Sequence, residues 1–246
     1  MRKVLTLVAL ALAFVAAATP AALAQAGHEY APLEEKTVNY KDWTLNSVKD
    51  GTPVNLRSFA KGKKLVLVVY FAPWCPNWRN EAPVAAKLYE KYKGQGLDVI
   101  AVSEYAPHES AAAFFGEGGS PYAVVSESES RDDRDKTSHY SYRQATGDTR
   151  RWGSPYNVFL EPAKLNKTGD VLTEKAWVVN GELVEDEVES FIRARLGLEK
   201  MDKKADSPAA KTSSAAPAFV PETGKAKLLK AASKSDAQAV QPCKGP

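Results

Sequence analysis

Residues 64–84 read KLVLVVYFAPWCPNWRNEAPV. Leu65 to Phe71 is an unbroken apolar run, rich in Val, with Lys64 on one side and Pro73 on the other. A run of that length and composition reads as a strand buried on both faces. It breaks at Ala72-Pro73-Trp74, and Cys75 stands in the break. Pro76 follows, a residue suited to the first turn of a helix. From Asn77 to Lys93 the composition is helical, with Ala85, Ala86, Leu88 and Tyr89 as an apolar side among Lys87, Glu90 and Lys91. The reading therefore puts a cysteine where a buried strand hands over to a helix N-terminus. Free N–H groups and the positive end of the helix dipole stabilise a thiolate there.

Outward from this stretch, Gly94-Gln95-Gly96 stops the helix, and Leu97 to Ser103 is a second apolar strand. Strand, helix, strand at this spacing predicts a right-handed parallel crossover. Glu109 to Phe115 forms a short helix, and Tyr122 to Ser126 a third strand. The polar, mixed-charge segment Glu127 to Arg151 reads as solvated surface and as a lid or rim near the cysteine. Gly153 to Leu160, GSPYNVFL, is a further strand that opens with Ser154-Pro155. Ala176 to Val179 is the last strand, and Val184 to Leu196 the closing helix, acidic at its start and basic at its end as the dipole favours. On the N-terminal side, Tyr40 to Val48 alternates as a half-buried strand, Asp50-Gly51 turns it, and Pro53 to Leu56 returns.

The stretch around Cys75 resembles the thioredoxin superfamily, most closely the exported TlpA/ResA-like thioredoxins, which share an AhpC/TSA-redoxin type domain. Their pattern is a hydrophobic strand followed by W-C-x-x-C-x-x-E-x-P. Trp74, Cys75, Glu81 and Pro83 stand at the matching places, with Phe71 ending the strand and Pro76 after the cysteine. Trp78 replaces the second cysteine, so the two-thiol reaction of the family is not available within this motif. The hairpin and its Leu56-Arg-Ser-Phe59-Ala-Lys-Gly62-Lys lead-in resemble those of TlpA/ResA-like and peroxiredoxin-type domains. The resemblance implies an α/β, thioredoxin-like fold: a central mixed β-sheet flanked by helices, with an N-terminal hairpin. It also implies that Pro155 follows a cis peptide bond and faces the cysteine. A cis bond there would expose the N–H and C=O of the preceding residue to an extended partner; the plain alternative is a trans proline opening an edge strand. The buried acid of plain thioredoxins falls at Val69, and the P-x-x-x-T-x-x-C pattern of peroxiredoxins meets Val68 and Ala72, so neither chemistry is expected.

At 246 residues the chain holds one ordinary domain and extensions, and its 44% hydrophobic content is enough for a core. A formal net charge of +3 does not point to nucleic acid. Residues 1–24 read as a secretory signal peptide: Arg2-Lys3, an apolar run to Ala18, and Ala22-Leu23-Ala24 as the cleavage site. The mature protein is then periplasmic or extracellular, without a stable membrane anchor, where disulfides persist. Residues 25–36 read as a loose leader, 37–198 as the domain, and 199–246 as a disordered tail rich in Ala, Lys, Ser and Pro. The tail holds the second cysteine, Cys243.

The site residues expected from this reading are Cys75 and Glu81 for catalysis, and Trp74, Pro76, Trp78, Ser154, Pro155 and Tyr156 for binding a partner. Cys243 is a candidate resolving thiol. Two readings fit Cys75, a nucleophile or a small buried hydrophobe. Two fit Glu81, a proton carrier or a solvated helix-surface carboxylate. Two also fit Trp78, a flat surface for a partner or a filler of the space left by the missing sulfur. His28, His108 and His139 lie far apart with no metal-ligand motif, and no phosphate loop is present, so no metal or cofactor is expected. The function expected is thiol–disulfide exchange with protein or low-molecular-weight thiols and disulfides through the single thiol Cys75. The alternative is a redox-inactive module whose cis-proline groove holds an extended chain.

Overall fold

The structure, a computed structural model, describes residues 27–198. The expected signal peptide, the first residues of the leader and the C-terminal tail with Cys243 lie outside the described residues. The central strand, β5 (Leu65–Phe71), has all seven side chains buried. Leu65, Leu67, Val69 and Phe71 belong to one core cluster, and Val66, Val68 and Tyr70 to the other. That is the period-two alternation of a strand covered on both faces. β6 (Leu97–Ser103) pairs with it in parallel, and β8 (Tyr156–Leu160) antiparallel. β7 (Ala123–Ser126) extends the sheet beyond β6, and β9 (Val171–Val179) beyond β8. β2 (Glu34–Lys41) borders β9, while the hairpin of β3 (Thr44–Ser47) and β4 (Pro53–Asn55) borders β7. The eight-stranded order is β2-β9-β8-β5-β6-β7-β3-β4, a mixed sheet of thioredoxin-like topology.

The first face of the sheet is covered by α2 (Pro76–Tyr92), α3 (His108–Phe115) and α5 (Glu185–Leu196), through residues such as Trp78, Leu88, Phe115 and Ile192. The opposite face is covered by α1 (Leu56–Phe59) and α4 (Ser138–Thr146). That second core holds four tyrosines: Tyr40, Tyr70, Tyr142 and Tyr156. The hydroxyls of Tyr40 and Tyr70 are 2.6 Å apart in full burial, each the other's way of meeting its hydrogen-bonding need. Among the described residues, no helix is long and apolar enough to cross a membrane.

Three expectations are corrected. Ordered structure starts earlier than residue 37: β1 (Tyr30–Ala31) pairs with β10 (Glu182–Leu183), and β2 begins at Glu34. Tyr40 to Val48 is not one strand. The chain turns at Asp42, whose carboxylate accepts from the Arg57 N–H at 3.0 Å, Asn55 Nδ2 at 3.1 Å and Arg57 Nη1 at 2.7 Å. That corner sends β2 to one edge of the sheet and the β3–β4 hairpin to the other end, with β4 outermost. Finally, residues 127–151 are not solvated throughout. Their α4 carries His139 and Arg143, both fully buried.

The tyrosine pair gives a direct test. Tyr70→Phe and Tyr40→Phe are each expected to lose about 1–3 kcal/mol in urea denaturation, because each strands a buried hydroxyl. The double variant is expected to lose clearly less than the sum of the two, since it removes both groups at once.

Candidate redox site

Cys75 is the N-cap residue of α2, with φ −77° and ψ 126°, and Pro76 takes the first helical position. The residue is fully buried. It is disulfide-bonded, and its partner sulfur lies outside the described residues. Cys75 Sγ lies 3.1 Å from the carbonyl oxygen of Ser154. A disulfide sulfur carries no proton, so in this state the approach is a contact; a reduced thiol can donate to the same oxygen. The Ser154–Pro155 peptide is cis. Ser154 Oγ accepts from the Ala72 N–H at 2.8 Å, tying the loop to the end of β5. Trp74, half-buried beside the cysteine, donates from Nε1 to the Tyr105 carbonyl at 3.1 Å. Its ring meets Trp152 edge-on at 5.4 Å, and the Arg131 guanidinium lies 4.1 Å from its centroid. Residues 131–136 thus form the rim that the sequence suggested. An open groove of about 810 Å³ runs from Pro73 and Trp74 past Arg79 to Phe114 and Gly118.

Two of the expected partner-binding residues do not face a partner. Trp78 is fully buried, its ring 4.6 Å from that of Phe71 and 5.6 Å from Phe114. It fills core, because the large apolar surface of an indole beside β5 is worth more buried than exposed. Tyr156 points to the opposite core, with its hydroxyl 3.3 Å from Thr146 Oγ1. Successive strand residues face opposite sides, so Tyr156 cannot share the cysteine's face. Pro76 is exposed, while Ser154 and Pro155 are buried.

The loop that meets Cys75 rests on a network the sequence reading missed. Arg143, fully buried, pairs through Nε with Asp148 Oδ2 at 3.1 Å. Asp148 also takes Arg150 Nη2 at 2.7 Å, and Arg150 Nη1 reaches Glu29 at 3.2 Å. Arg150 Nη2 donates to the Pro155 carbonyl at 2.9 Å. Burial of a guanidinium demands such pairing. Arg143 packs so closely that a Cβ on Gly153, whose φ is +57°, would sit 1.7 Å from its Nε. Glycine is required there on both counts. His139 Nε2 meets the Gly153 carbonyl at 3.2 Å, and its Nδ1 meets the Tyr105 hydroxyl at 2.9 Å. A carbonyl only accepts, so Nε2 carries the proton and Tyr105 donates to Nδ1. Burial holds His139 well below the ordinary histidine range, in keeping with a neutral ring. The one sequence signal for this network was Gly147-Asp148 breaking an otherwise charged segment.

Glu81 lies six residues into α2, about 9 Å along its axis from Cys75. It is buried, not solvated. Its Oε2 accepts from the Leu183 N–H at 2.8 Å and from Asn157 Nδ2 at 3.1 Å, and Oε1 has no partner among the described residues. Desolvation pushes its pKa up from 4.5 to about 8, against those two hydrogen bonds, which lower it. The acid therefore holds its proton at neutral pH.

Residues 38–143 match the AhpC/TSA family. The chain is also similar to the protein disulfide-isomerase of Drosophila melanogaster, at 40% identity over 70 residues. That match takes in 28% of this chain and spans only 14% of the relative's length. Among solved structures, the thioredoxin domain of a thiol-disulfide oxidoreductase from Bacteroides vulgatus has 22% identity and a TM-score of 0.44, covering 70% of this chain and 99% of that one. A thiol:disulfide interchange protein from Bacteroides sp. has 21% identity and a TM-score of 0.44, covering 73% and 95%.

Glu81 sets a pH dependence. Between about pH 4.5 and 8 the folded protein keeps a proton that the unfolded chain has lost. Its contribution is fully present below pH 4.5 and is lost as pH rises through about 8. Urea denaturation at pH 5 and pH 8 is expected to show a fall in stability for the natural protein, and a clearly smaller fall for Glu81→Gln.

Proposed function

We propose that the protein is an exported thiol–disulfide oxidoreductase that works through Cys75. The observation that carries this reading is that Cys75 caps α2 at the end of the central strand, against Ser154, and is itself engaged in a disulfide. The AhpC/TSA match of residues 38–143 supports it. In the reaction, the Cys75 thiolate attacks one sulfur of a protein or low-molecular-weight disulfide. The S–S bond breaks, the leaving thiolate takes up a proton, and a mixed disulfide forms that a second thiol resolves. Glu81 holds a proton at neutral pH and serves as the acid and base of the site. Trp74, half-buried, and Pro76, exposed, flank the cysteine in sequence and form the approach surface. Export rests on residues 1–24 and on a disulfide, which persists outside the cytoplasm.

The binding-module alternative is less well supported. The carbonyl of Pro155 is already taken by Arg150 Nη2, so one of the acceptors that an added strand would use is engaged. The test is exchange itself. The reduced protein is expected to reduce glutathione disulfide or insulin disulfides, and Cys75→Ser to fall to the uncatalysed rate. A folded natural protein no faster than Cys75→Ser would leave the binding module as the better reading.

A further inference from the structure

Trp74, the residue before Cys75, is surrounded by guanidinium groups. Arg131 lies 4.1 Å from the Trp74 ring centroid and 5.5 Å from that of Trp152, whose ring meets Trp74 edge-on. Arg151 lies 5.3 Å from the Trp152 centroid. Arg79 lines the same groove as Trp74, 6.0 Å from the Phe114 centroid. We infer that Arg79, Arg131 and Arg151 form a carboxylate-reading rim, and that what it reads is an acidic, extended segment of the protein disulfide that Cys75 attacks. This rests on the oxidoreductase reading and names a substrate class for it.

The other cations of this region are already paired: Arg134 with Asp135, Lys136 with Asp133, and both Arg143 and Arg150 with Asp148. Among the described residues, no carboxylate lies within ion-pairing distance of Arg79, Arg131 or Arg151. Arg79 and Arg151 are exposed and Arg131 is half-buried. A guanidinium lying over an aromatic ring still offers its in-plane N–H groups, and their fork matches a carboxylate. The nearby acids set a register. Glu129 and Asp132 stand close to Arg131 in sequence and are exposed, and Glu117 lines the far end of the groove. The surface is therefore no broad positive field, and selection is by contact rather than by long-range attraction. An acidic side chain is favoured beside Trp74 and disfavoured near Glu117.

The occupant is a chain rather than a small acid because the groove between these ends has apolar walls. Ala82, Pro83, Phe114 and Phe115 line it over about 810 Å³. A small dicarboxylate would leave those walls bare. Successive side chains of an extended chain point to opposite sides. One residue can lay an apolar side chain in the groove while its neighbour offers a carboxylate to the arginines. Trp78 supports this wall from within the core, its ring 5.6 Å from that of Phe114. The residue that stands in place of a second cysteine thus backs the surface that reads the substrate. The exchange is the one already described: Cys75 Sγ bonds to the substrate cysteine, the substrate S–S bond breaks, and the leaving thiolate keeps the electron pair and takes up a proton.

The reduced full-length protein is mixed with 2-pyridyl disulfides of three peptides that differ only in the residues flanking their cysteine: Glu, Gln or Lys. Release of thiopyridone is followed by absorbance. Rates are corrected by those of Cys75→Ser and divided by each peptide's rate with 2-mercaptoethanol. The expected order is Glu, Gln, Lys, with Glu ahead of Gln by about fivefold at low salt and by less at high salt. Arg79→Gln with Arg131→Gln is expected to bring the Glu-to-Gln ratio towards one, and Arg131→Glu to favour the Lys peptide. Equal rates for the Glu and Gln peptides, or a preference that the arginine variants leave intact, overturn the inference while Cys75 remains an active thiol. A preference for glutathione disulfide over hydroxyethyl disulfide with none among the peptides overturns the peptide as occupant. Where a variant does not fold by circular dichroism, the natural protein's own ratio and its salt dependence decide. If the folded natural protein reacts with no peptide faster than Cys75→Ser, the oxidoreductase reading falls, and this inference with it.

Discussion

β5 leaves none of its seven side chains to water. A strand with no solvent face has to be covered twice, and the three-layer arrangement follows from that. Leu65, Leu67, Val69 and Phe71 call for α2, α3 and α5 on one side; Val66, Val68 and Tyr70 call for α1 and α4 on the other. The strand can end only where a covering layer ends, and there the chain reverses into α2. Cys75 occupies that reversal. Its place at a helix N-terminus is thus a by-product of how a doubly covered strand must exit the core. Its chemistry depends on what the opposing loop brings up to it.

That loop is set by a buried charge. Arg143 has no exposed surface, so its guanidinium must find acceptors inside the protein. It takes Asp148 and the carbonyl of Arg150, which folds residues 148–153 back over α4. Arg150 then bridges Asp148, Glu29 and the Pro155 carbonyl. The space Arg143 fills leaves no room for a side chain on residue 153, and the chain passes it as glycine at positive φ before reaching Ser154. His139 fixes the same glycine from the other side. The contact between Ser154 and Cys75 is therefore held by groups that never touch the sulfur.

What the sequence made legible and what it hid follow the range of the interactions. β5, α2 and β6 declare themselves through contiguous apolar runs and helix punctuation, and the Asp50-Gly51 hairpin through two adjacent residues. β2 is opaque in its first residues: Glu34-Glu35-Lys36 reads as a leader, because the strand is an edge with most of its residues exposed, and only its pairing with β9 makes it a strand. Arg143, Asp148 and Arg150 look like ordinary surface charge for the same reason. A charge run says nothing of burial until its partners, two of them from residues 29 and 155, are in place. At Trp78 and Glu81 the residue type was informative and its environment was not. For each the sequence admits an outward-facing reading, and both are inside.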